Sequence, residues 1–105
     1  MSNQLPLPDG AAQDPEAQEM ARIWVTRSDL LVSLNVGCYL EAEGGVKETT
    51  AWGDMLADTI KHIAKAISLR YDVSPAVAQQ EILSRCTESL AQYSKHFSGA
   101  LGKST

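Results

Sequence analysis

At 105 residues, 44% of them hydrophobic, the chain is the size of one domain with an ordinary globular composition. Its net charge of −4 sits in residues 1–20, which hold Asp9, Asp14, Glu16 and Glu19 and no Lys or Arg, while the remainder balances nine acids against nine bases. With no basic stripe, no apolar run of about eighteen residues and no secretory leader pattern, the composition argues against nucleic-acid binding, a membrane span and export.

The default compartment is therefore the cytoplasm. Cys38 and Cys86 agree with it, since they show neither metal-ligand spacing nor a disulfide framework.

Residues 1–13 are rich in Pro, Gly, Ala, Asn and Gln without periodicity, and residues 1–20 are read as an extended or partly disordered acidic leader. Asp14-Pro15-Glu16 is a helix-start signal, a capping Asp followed by Pro at the first helical position, so a short helix is expected near 15–20. Residues 21–98 are expected to form a single α+β domain, and 99–105 a frayed tail.

Two period-two segments open the domain. Ile23 and Val25 alternate with Arg22, Trp24 and Thr26. Leu30, Val32, Leu34 and Val36 alternate with Leu31, Ser33 and Asn35. Arg27-Ser28-Asp29 joins them, with Asp29 the residue most tolerant of a left-handed turn position, and the pattern predicts an antiparallel hairpin. Gly37 ends or bulges the second strand, and Cys38-Tyr39-Leu40 can extend it. Glu41–Thr50, with Gly44-Gly45, reads as an exposed loop long enough to hint at mobility or a role.

From Ala51 to Tyr71 the apolar residues Trp52, Met55, Leu56, Thr59, Ile60, Ile63, Ala66 and Ile67 recur every three or four positions, which predicts a core-facing helix capped by Thr49 or Thr50. Ser74-Pro75 starts a second helix running to about Ser98. Ile82, Leu83, Cys86, Leu90, Tyr93 and Phe97 form its apolar face, and Glu81–Arg85 makes a four-residue pair on the other. The expected architecture is an antiparallel β-hairpin followed by two antiparallel helices packed on one face.

The segments Ile23-Trp24-Val25, Leu30-x-Val32-Ser33-Leu34 and Ala51-Trp52-Gly53-x-x-Leu56-Ala57-Asp58-x-x-x-His62-Ile63-Ala64-x-Ala66 resemble a family of small bacterial proteins known as a domain of unknown function. The resemblance covers roughly residues 15–97. It implies a fold and carries no activity, so no functional residue is transferred. Arg27-Ser28-Asp29 stands where that family would carry a glycine-bearing turn, which leaves the hairpin's register open.

Chemistry has few places to reside. Asp54, Asp58 and His62 lie four residues apart along one side of the first helix, where Asp58 and His62 can share a divalent metal or form a general-base pair. The plainer reading is an intrahelical Asp–His pair beside a solvated face, with His62 half-buried. Cys86, on an apolar face, reads as a small buried hydrophobe, and Cys38 as a loop thiol without a role. Phosphate-loop, dinucleotide and nucleophile-elbow motifs are absent from the sequence. No catalytic residue and no cofactor is assigned.

Trp24 and Leu31 share the hairpin's second face, rimmed by Arg22 and Thr26. These four are the interface candidates, because that face must cover the leader or meet a partner. A lone two-stranded hairpin is marginal and leaves both edges unpaired. The expectation is a homodimer that extends the sheet edge to edge or joins the Trp24–Leu31 faces. As function it suggests a non-enzymatic module that binds another protein through the dimer surface or the Glu41–Thr50 loop. The alternative is a metal- or small-ligand-binding protein, with or without catalysis across the dimer, centred on Asp58 and His62. A leader that folds on a partner is a third option.

Overall fold

A computed structural model of the chain describes residues 3–37 and 47–97, with side chains as far as Gln92. Its elements are β1 (Ala21–Val25), β2 (Leu30–Leu34), α1 (Glu48–Tyr71) and α2 (Pro75–Phe97), the strand–strand–helix–helix order of the expected α+β class. Contacts divide the chain after Val36 into two compact units. The division falls behind the hairpin, so the leader belongs to the first unit with β1 and β2, and each unit is described by itself.

In the first unit β1 and β2 pair antiparallel, with Ala21 opposite Leu34, Ile23 opposite Val32, Trp24 opposite Leu31 and Val25 opposite Leu30. This is the register in which each strand's alternation places like residues on one face. The turn is made differently from expectation. No described residue other than Asp72 and the glycines Gly10 and Gly37 has a positive φ, so Asp29 takes no left-handed position. Thr26 closes the turn instead. Its backbone N–H donates to the Asp29 carbonyl at 2.8 Å, and its hydroxyl donates to that carbonyl at 3.1 Å and accepts the Asp29 N–H at 3.0 Å. At the other end Asn35 N–H donates to the Met20 carbonyl at 2.9 Å.

Asp14 performs its capping role but no helix follows. Its carboxylate accepts the Glu16 N–H at 2.9 Å and its carbonyl the Ala17 N–H at 3.0 Å, after which residues 17–20 run without helix into β1. Nucleating a helix fixes several residues for one bond, and the few positions before the strand are too short to repay it.

In the second unit α1 starts at Glu48, three residues before the expected Ala51. Its N-cap is Lys47, which makes no side-chain cap, and Thr49 and Thr50 lie inside the helix. It stops at Asp72, which adopts φ 60° and ψ 45°, the left-handed C-terminal conformation that glycine or asparagine more often supplies. Ser74 caps α2 as expected, accepting the Val77 N–H on its hydroxyl at 3.1 Å, with Pro75 at the first helical position.

The helices pack together through small residues. Ala64 of α1 and Ala78 of α2 are the buried residues among those described. Ile60, Ile67 and Ser68 on α1, and Ile82 and Ser89 on α2, are half-buried around them. Small side chains at a crossing let helix axes approach closely. The expected face of α2 is therefore turned: Leu83, Cys86 and Leu90 are exposed, and Cys86 is not a buried hydrophobe. Arg85 pairs with Glu88 at 3.0 Å, so the expected Glu81–Arg85 pair gives way to a three-residue one.

Candidate functional site

The hairpin surface comes first, because its side chains are the least explained by the fold. The register gathers Ala21, Ile23, Val25, Leu30, Val32 and Leu34 on one face, without a polar residue among them. Every residue of both strands is exposed, including all six. Contiguous exposed apolar patches are uncommon on small proteins that act alone.

The opposite face carries the four interface candidates. Trp24 and Leu31 sit directly across from each other. At 39% Trp24 is the least exposed of the hairpin's large apolar side chains. It lines a groove of about 520 Å³ with the rest of β1 and with leader residues Asn3–Pro8. No β2 residue lines that groove, so it is shared between the leader and β1. Arg22 is held by the leader too, its guanidinium donating to the Glu19 carboxylate at 2.7 Å. Thr26 closes the turn. Of the four, Leu31 alone has neither a leader nor a turn role in these contacts.

The helix candidates do not converge. Asp54, Asp58 and His62 are all exposed. His62 Nε2 stands 3.8 Å from Asp58 Oδ2, beyond hydrogen-bond length, and the side chains are 80% and 70% exposed. His62 is thus not half-buried. Among the described residues no three His, Cys, Asp or Glu side chains are grouped to hold a metal ion. Glu41–Val46 and Cys38 lie outside the described residues.

One polar arrangement escaped sequence reasoning. A single oxygen of Glu48, Oε2, accepts the Gly37 N–H at 2.7 Å and the Trp52 indole N–H at 3.0 Å. Gly37 takes a φ of +104°, where a side chain would be strained. The four-residue Glu48–Trp52 spacing was a local signal for the indole bond, whereas nothing local pointed to Gly37. The carboxylate thus fastens the chain after β2 to the start of α1, where its charge also suits the helix dipole. Glu48→Ala should lower stability by about 1–2 kcal/mol in thermal unfolding, and Glu48→Gln by less, because the amide oxygen still accepts. Equal losses would mean that the charge, not the acceptor, carries the effect.

A family model described as a domain of unknown function, DUF5076, matches residues 4–98. No curated protein matches the chain. Among solved structures the chain is similar to one described as a putative pyruvate dehydrogenase from the photosynthetic bacterium Rhodopseudomonas palustrus. The TM-score is 0.63 at 20% identity, covering 86% of this chain and 84% of that one. At that identity the likeness is one of fold.

Proposed function

The chain belongs to the DUF5076 family of domains of unknown function, and from that premise we propose a non-enzymatic, homodimeric protein-interaction module working in the cytoplasm. The observation that carries this reading is the hairpin face of Ala21, Ile23, Val25, Leu30, Val32 and Leu34, exposed along its whole length. Small domains hold together by burying apolar area, and the buried residues described here are two alanines. A second copy supplies the missing area at the same surface on both partners. Among the described residues no helix is long and apolar enough to cross a membrane.

The ligand-site alternative at Asp58 and His62 has less support, because the pair is open, solvated and without a third ligand. Native mass spectrometry of protein prepared without chelator tests both readings together. The expected result is a dimer mass with nothing added. A monomer at tens of micromolar overturns the proposal. Added mass that disappears in His62→Ala replaces it with the ligand-binding reading.

A further inference from the structure

We infer that the second copy docks on the free edge of β2, by antiparallel pairing about a two-fold axis at Val32, to give a four-stranded sheet in the order β1-β2-β2-β1. This rests on the homodimer reading and specifies which edge and which register it uses.

The edge follows from what flanks each strand. β1 shares its groove with the leader segment Leu5-Pro6-Leu7-Pro8, two of whose residues lack an N–H to donate, and no β2 residue lines that groove. β1 also carries Arg22, ion-paired to Glu19 just before the strand. Prolines and charges are the means by which sheet edges are protected from further pairing. β2 has neither. Leu30-Leu31-Val32-Ser33-Leu34 contains no charge and no proline, and among the described residues no strand pairs with its outer side.

The register follows from the hydrogen-bond alternation. Thr26 bonds Asp29 and Met20 bonds Asn35 at the two ends of the hairpin. Bonded pairs alternate along an antiparallel ladder, so Trp24–Leu31 and Arg22–Ser33 are the bonded pairs between them. The backbone groups of Leu31 and Ser33 therefore point at β1, and those of Leu30, Val32 and Leu34 point outward. Centring a two-fold at Val32 sets Val32 opposite its own copy and Leu30 opposite Leu34 of the partner subunit. Every outward N–H and C=O of the strand then finds a partner. A two-fold at Leu31 or Ser33 leaves one of the three outward-facing residues unmatched. The chosen centre also keeps Leu30-x-Val32-x-Leu34, which reads the same in both directions, on one face. The six-residue apolar face of one hairpin thus continues into that of its partner.

Residue-resolved amide hydrogen exchange on the unaltered protein tests this across a dilution series spanning dimer dissociation. The Leu30, Val32 and Leu34 amides should slow by roughly tenfold or more as concentration rises. Those of Ile23 and Val25, on β1, should show no such dependence. A dimer by mass whose Val32 amide exchanges equally fast at all concentrations overturns the edge and leaves the homodimer standing. Concentration dependence confined to Ile23 and Val25 moves the interface to β1. A monomer throughout overturns both readings.

Discussion

Ala64→Leu should lower the thermal midpoint of the helical unit by several degrees, the largest loss expected from adding three carbons at a single helix position among the described residues. Ala64 and Ala78 are the buried residues of the described structure, and they sit where α1 meets α2. A larger side chain at such a crossing must push the helices apart or take a strained rotamer, at about 1–3 kcal/mol. For a unit this small, 1 kcal/mol corresponds to about 4–8 °C. Ala57→Leu is the control. It adds the same atoms to an exposed position of the same helix and should stay within about 0.5 kcal/mol of the parent. If both variants melt alike, the two alanines are not the contact that holds the pair.

The two alanines also show where reading the sequence ran out. The apolar arc on each helix was legible from spacing, and it correctly placed two helices with a Ser74-Pro75 start. Which edge of the arc is buried was not legible, because a wheel weights large residues and close helix packing selects small ones. Ile82, Leu83, Cys86 and Leu90 looked like the core face of α2, yet of these four Ile82 alone turns inward, together with Ala78 and Ser89. The hairpin fared better, since a period of two in both strands announced the pairing and the faces, while the register itself, left open by the sequence, is pinned by the Thr26–Asp29 closure. Its turn was misjudged because a backbone conformation was expected of Asp29 where a side chain, the Thr26 hydroxyl, does the closing. The start of α1 was missed for a related reason. Its fastening is the Glu48 carboxylate on Gly37, a bond across eleven positions that no local pattern announces. At the candidate site, the spacing of Asp54, Asp58 and His62 was visible, but exposure decides whether spacing becomes chemistry, and exposure depends on the packing.

Charge placed at Val32 should act on association far more than on folding. Val32 is 42% exposed and belongs to the uncharged outer strand. If nothing covers it, Val32→Glu or Val32→Lys is a surface change of about 0.5 kcal/mol or less. If the strand pairs with its own copy about this residue, the two substituted side chains face one another at about 5.5 Å between Cα atoms. Like charges directly opposite on a sheet oppose pairing, and each variant alone should run as a monomer where the parent is a dimer. Mixing the two should restore a dimer holding one copy of each, because Glu then faces Lys. Native mass spectrometry separates that heterodimer from either homodimer. Ile23→Glu and Ile23→Lys lie on the same apolar face but on β1, where the two copies stand two strand spacings further apart than at Val32, so their mixture should show no such rescue. Rescue at Val32 without rescue at Ile23 is a signature that only a two-fold through β2 produces. Both pairs rescuing would mean that the faces stack, and neither pair affecting the mass would mean that this surface does not associate.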